Sequence, residues 1–145
     1  MELSRGHVSD PRLRFIILNL VYVEQFGASP FDVAFKGNEP HVDHIYPKSG
    51  LSKDFGLSPA EIDHNGNYRF VGATDNVRKR AEKPNSYFVR LKKSGVPVQK
   101  HLLLAKFSDD PALLQWDAAT YGAFRDERLE AMWQIASKIV NAELA

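Results

Sequence analysis

The sequence has no cysteine in its 145 residues. Disulfides and thiolate metal sites are therefore excluded, and any metal must be held by His, Asp, Glu or Asn. Such donors suit hard cations such as Mg or Mn, although imidazole also accepts Zn or Ni. Long apolar runs are missing too: Phe15 to Val23 is interrupted by Asn19 and is far too short to span a bilayer. The polar stretch from Met1 to Arg14 does not resemble a signal peptide. These absences predict a soluble, cytoplasmic chain with no membrane partner. Internal repeats and low-complexity segments are also absent. With 43% hydrophobic residues, the length fits one domain with its own core and is too small for two.

What the chain does have is a buried asymmetry of charge. The net charge is +1, but residues 76–106 carry nine basic side chains and one acidic, Glu82, a local net of +8. Residues 1–75 and 107–145 are net acidic, at −3 and −4. A basic block inside a near-neutral protein is a candidate polyanion contact, or else a solvated surface loop.

The pattern of elements is mainly helical. Asp10 as N-cap, Pro11 at the first helical position and Gly27 beyond the end predict a helix over about 11–26. Residues 28–40 read as an irregular connection. Alternation over His41 to Ile45 predicts a short strand closed by Tyr46-Pro47, and residues 48–58 read as a polar loop. Ser58-Pro59-Ala60-Glu61 is a capping box for a short helix reaching about Asp63. His64-Asn65-Gly66-Asn67 is a turn, and Tyr68 to Val71 a second strand. Thr74 or Asp75 can cap a helix from Asn76, which Pro84-Asn85-Ser86 should break before another helix over Tyr87 to Lys93. Residues 95–101 read as extended or loop, and Asp109-Asp110-Pro111 should cap a short helical turn. Tyr121, Phe124, Met132, Ile135 and Ile139 recur at helical spacing, predicting a long helix over Asp117 to Leu144.

The chemistry-bearing stretch is His41-Val42-Asp43-His44-Ile45-Tyr46-Pro47. A carboxylate can ligate a divalent cation, and a neutral imidazole can take a proton from water near neutral pH. On a strand, however, Asp43 and His44 point to opposite faces, so they serve one site only at a strand end. An Asp-His pair alone carries little weight.

The order Asp43-His44-Ile45-x-Pro47, Gly66-Asn67-Tyr68-Arg69-Phe70, then Asn76 followed by basic residues resembles the HNH, or ββα-metal, nuclease motif. Asp-His-Ile-Tyr-Pro-Lys-Ser with Gly-Asn-Tyr-Arg-Phe is most similar to the C-terminal nuclease domain of GmrSD-like, modification-dependent restriction proteins and related phage-defence enzymes. The core of the resemblance covers about residues 41–88, and the flanking helices at 11–26 and 117–144 share it less specifically. The resemblance implies an α+β fold: a single, mainly helical domain over 1–145, built around a ββα core at about 41–82 with a short two-stranded antiparallel hairpin. It implies a DNA endonuclease in which His44 is the general base and Asn67 orients the loop and the base. Asp43 and Asn76 would hold one divalent ion, Mg or Mn given the oxygen donors. His41, on the Asp43 face of the strand, would be a partner to that site. Lys48, Arg78, Lys79, Arg80 and Lys83 would contact the DNA phosphate backbone, positioning it without reading sequence. Tyr87 and Phe88 read as core, with Arg90 beside them as a possible continuation of the basic surface. One metal site implies a nick. In the restriction group this domain follows a larger nucleotide-dependent domain, so the chain can be the C-terminal part of a longer protein; no P-loop pattern occurs in it. The connection over 46–66 is longer than in minimal HNH motifs, and the zinc-binding cysteine pairs of some members are absent.

Each residue also has a plainer role. Asn67 after Gly66 suits any turn, Asn76 suits a helix cap, and His64 reads as an exposed turn residue. Two other readings stand beside the nuclease: a non-catalytic nucleic-acid-binding module that keeps the ββα shape, and a helical interaction domain.

Overall fold

The computed structural model describes residues 2–27, 40–72 and 82–144. In chain order these form α1 (Arg5–Ser9), a 3-10 turn (Pro11–Leu13), α2 (Arg14–Phe26), β1 (Pro40–His44), α3 (Lys48–Phe55) and α4 (Pro59–Ile62). A second 3-10 turn (Asn65–Asn67) leads into β2 (Tyr68–Gly72). Then come α5 (Pro84–Lys93), α6 (Gln99–Leu102), α7 (Ala105–Asp109), a third 3-10 turn (Pro111–Leu113) and α8 (Ala118–Leu144). Among the described residues the fold is mixed but mostly helical, with one two-stranded antiparallel sheet. The helix expected from Asn76 lies outside the described residues.

Local chemistry explains most boundaries. The Asp10 carboxylate accepts from the Arg12 N–H, Pro11 opens the turn, and Gly27 closes α2 at φ 75°, a conformation that costs glycine little. The Ser58–Glu61 capping box forms in both directions. Three expectations need correction. Residues 48–58 are not a loop, since α3 occupies Lys48–Phe55: Leu51 is fully buried, Phe55 packs on Trp116, and Gly56 ends the helix at φ 62°. Its one buried anchor among polar neighbours hides it from a pattern search. The helix expected over Tyr87 to Lys93 opens three residues earlier, since α5 takes Pro84 into its first turn, where the N–H that proline lacks is not used. The stretch expected to be extended carries α6, whose Leu102 is fully buried.

The sheet is a short ribbon held between two apolar clusters. Its register pairs Val42 with Phe70, Asp43 with Arg69 and His44 with Tyr68. Alternation sends Val42, His44, Tyr68 and Phe70 to one face, where Tyr68 and Phe70 join Val8, Ile17, Leu18, Val21, Tyr22 and Met132. The opposite face carries Asp43 and Arg69, and the Arg69 guanidinium lies 5.0 Å and 5.2 Å from the Tyr87 and Phe88 ring centres of α5. Tyr87 and Phe88 are core residues, as their composition suggested, in the second cluster with Ile45, Tyr46, Tyr121 and Phe124. The long helix α8 spans both clusters, through Tyr121 and Phe124 in one and Met132 in the other.

Polar groups pin these layers together. Arg128 of α8 is fully buried and donates to the backbone carbonyls of His101 (3.0 Å), Gly66 (3.0 Å) and Tyr68 (2.5 Å). Burial presses its pKa down to about 10, so it stays charged at neutral pH. Tyr22 Oη and His101 Nδ1 are 2.6 Å apart within the core. Burial, reinforced by the charges of Arg69, Arg128 and Lys100, holds His101 neutral well below its ordinary range. Unfolded His101 takes up a proton near pH 6.5, and the folded side chain resists it. Stability should therefore be greatest above that pH and decline as the pH falls through it. Between pH 7.5 and 5.5 the expected loss from His101 is on the order of 1 kcal/mol. Urea unfolding at the two pH values measures it, and His101→Gln should flatten the dependence; an unchanged slope in that variant refutes the assignment.

Candidate nuclease site

The site forms where β1 ends and β2 begins. His44 is the last residue of β1, and its ring packs on Tyr68, directly across the ladder, with ring centres 4.3 Å apart. Its Nε2 lies 2.9 Å from Oδ1 of Asp63, which caps the C-terminal end of α4. Asp63 also accepts from Tyr68 Oη at 3.1 Å and from Lys48 Nζ at 3.5 Å. Burial alone would raise the Asp63 carboxyl, but the hydrogen bonds from His44 and Tyr68 and the Lys48 charge hold it below the usual carboxylate range. It is thus an ionised acceptor, and Nε2 of a neutral His44 must be the donor. Burial lowers His44 below its ordinary value, against the opposing hydrogen bond to Asp63 and the charges of Asp63 and Asp43. The ring is accordingly neutral at physiological pH, with a fifth of its side chain exposed.

Asn67, fully buried, fastens the chain just after His44. Its Oδ1 accepts from Tyr46 N at 2.8 Å, and its Nδ2 donates to Tyr46 O at 3.0 Å and Ile62 O at 3.2 Å. Its own carbonyl accepts from Ile45 N at 2.7 Å. The three-residue turn Asn65–Asn67 that delivers it is seated against α8. Arg14 of α2 reaches the same turn, donating to Asn65 Oδ1 (2.8 Å) and Asp63 O (2.6 Å), with its guanidinium 3.9 Å from the Tyr68 ring centre.

The remaining expected residues are distributed unevenly. Asp43 sits on the other face of β1 from His44, in register with Arg69, and its charge reaches the His44 ring. His41 shares the Asp43 face and is exposed. Asn76, Arg78, Lys79 and Arg80 lie outside the described residues. Lys48 is exposed but leans toward Asp63, and Lys83, also exposed, sits 5.6 Å from the Trp116 ring centre. Several cations of the basic block are engaged within the protein: Arg90 pairs with Glu82 at 2.7 Å, and Lys92 donates to the carbonyls of Ser108 and Asp109. His64 is not the exposed turn residue its context suggested. It is half-buried, its Nδ1 accepts from Gly66 N at 3.1 Å, and it caps the 3-10 turn.

Asp63, Tyr68 and Arg14 join the site without having been singled out in the sequence. Asp63 lies 19 residues from His44, and no spacing rule links a helix-ending aspartate to a strand-ending histidine. Among the described residues, no three His, Asp or Glu side chains converge as a metal-ligand group. The donor chemistry of Asp43 and Asn76 nevertheless fits a Mg or Mn ion, which binds few protein oxygens and completes its shell with water and phosphate. No protein-family model matches the sequence, and no curated protein or solved structure matches it at a significant level.

Proposed function

We propose that the protein is a metal-dependent DNA endonuclease of the HNH type, acting in restriction or phage defence. The observation that carries this reading is the coupling of His44 to Asn67. A neutral imidazole with a fifth of its side chain exposed ends one strand, and the asparagine that opens the next strand binds both polar groups of the intervening Tyr46 backbone. That coupling supports a role for His44 as general base, since hydrolysis by an activated water requires a base held in place.

In this reading His44 takes the proton of a water that attacks the scissile phosphate in line. Asn67 keeps the strand end rigid while it does so. Asp43 and Asn76 would hold the divalent ion, which when bound supplies charge stabilisation at the phosphate and the leaving oxygen. Lys48 and Lys83, with Arg78, Lys79 and Arg80, would neutralise flanking phosphates. The cut is a single-strand nick, since one such centre acts on one strand.

Supercoiled plasmid tests the proposal. Incubation with Mg or Mn should yield nicked circles, EDTA should abolish them, and Asp43→Ala should lower the rate at least about tenfold. Salt-dependent DNA binding without cleavage in any metal would overturn it in favour of a binding module, for which the basic segment is sufficient.

A further inference from the structure

Outside the residues that the motif resemblance singles out, the most fully built polar feature near His44 is the carboxylate of Asp63. We propose that Asp63 is the positioning residue for His44: it accepts the Nε2 proton, fixes the tautomer whose Nδ1 is basic, and holds the imidazole at the strand end. The inference rests on the nuclease reading for its chemistry, but its geometry stands on independent contacts.

Asp63 is placed by its backbone as well as its side chain. Its N–H donates to Pro59 O at 2.7 Å, and its carbonyl accepts from Arg14 at 2.6 Å. The capping box at Ser58 and Glu61 sets where α4 begins, and therefore where its last turn presents Asp63. The carboxylate then receives donors from three elements: His44 of β1, Tyr68 of β2 and Lys48 of α3. Tyr68 acts twice, donating to Oδ1 at 3.1 Å while its ring packs on the imidazole. Arg14 in turn lies over the Tyr68 ring. A simple surface ion pair has none of this scaffolding and holds a side chain weakly. Here the base and its orienting acceptor are each fixed by at least two contacts, the arrangement that keeps a catalytic imidazole in one tautomer.

The proton balance follows. As the water oxygen bonds to phosphorus and the bond to the 3′ oxygen breaks, the water proton passes to Nδ1 of His44. The resulting imidazolium keeps its Nε2 proton against Asp63, which remains ionised and offsets the new charge. The leaving oxygen takes a proton from solvent.

The test combines kinetics with a spectroscopic readout on the full chain. Asp63→Asn should lower kcat for plasmid nicking about 10- to 100-fold with KM changed less than about twofold, and Asp63→Glu should recover part of the loss. Nitrogen-15 histidine spectra of the unsubstituted protein should show His44 protonated on Nε2 alone, and Asp63→Ala should return the ring to the tautomer mixture of a free imidazole. Undiminished kcat in Asp63→Asn, or a His44 protonated on Nδ1 in the unsubstituted protein, overturns the proposal. If the unsubstituted protein cuts no DNA, the nuclease reading falls, while the spectra still decide whether Asp63 fixes the ring.

Discussion

Replacing His44 with alanine should reduce metal-dependent plasmid cleavage about 10²- to 10⁴-fold, the range that a positioned general base contributes. This corresponds to about 3–5 kcal/mol of transition-state stabilisation. The effect should fall on the chemical step. The ring is neutral because burial outweighs the attraction of Asp63 and Asp43. It can therefore accept a proton without first losing one. Among the contacts that alanine removes are the packing on Tyr68 and the hydrogen bond to Asp63. The clusters above and below the sheet do not include His44, so the fold should survive. DNA affinity should also persist, because phosphate contacts come from lysine and arginine. Single-turnover cleavage beside a filter-binding or anisotropy titration separates the two effects. A purified variant that cleaves at the full rate would remove His44 from the mechanism.

Much of the domain can be read from short-range pattern. Ser58 with Glu61, Asp10 with Pro11, and Gly27 each encode a helix end within a few residues, and each operates as its chemistry dictates. The long helix α8 follows from the spacing of Tyr121, Phe124 and Met132. The first strand follows from alternation and the second from the turn before it, each to within one residue at its ends. What escaped was set by tertiary contact. Helix α3 has a mostly polar sequence and is held by Leu51 and by Phe55 against Trp116, a partner 61 residues downstream. Gly50 hints at this closeness, since a Cβ there would lie 2.7 Å from the Trp116 ring. Arg69 is buried between the sheet and α5, a placement that tertiary packing sets and no local pattern signals.

The candidate site divides along the same line. His44 and Asn67 stand out because a known motif spaces them, and the hydrogen bonds around Tyr46 link them physically. Asp63 could not be found in this way. Its link to His44 exists because α3 and α4 fold the long connection back over the strand end. The connection between the two strands thus supplies the carboxylate that pairs with the candidate base.

Gly66→Ala should be the most damaging single substitution near the site, costing about 3 kcal/mol or more of stability. A Cβ at this position would lie 2.0 Å from the backbone oxygen of Arg125 and 2.9 Å from its carbonyl carbon. The obstacle is backbone in the middle of α8, so a rotamer change cannot relieve the clash. The turn cannot retreat easily either. Arg128 grips the carbonyls of Gly66 and Tyr68 from α8, and Asn67 is tied to Tyr46 and Ile62. Moving the turn by the ångström or more that the methyl needs would break several of these bonds, each worth about 1 kcal/mol or more where burial leaves a partner unsatisfied. It would also carry Asn67 away from the strand end and loosen His44. Thermal or urea unfolding of Gly66→Ala should therefore show a large loss of stability. Any folded fraction should also cleave DNA poorly, because the same turn that supports the helix contact positions the residues of the site. A variant that kept both stability and rate would mean that this turn does not need its close approach to α8.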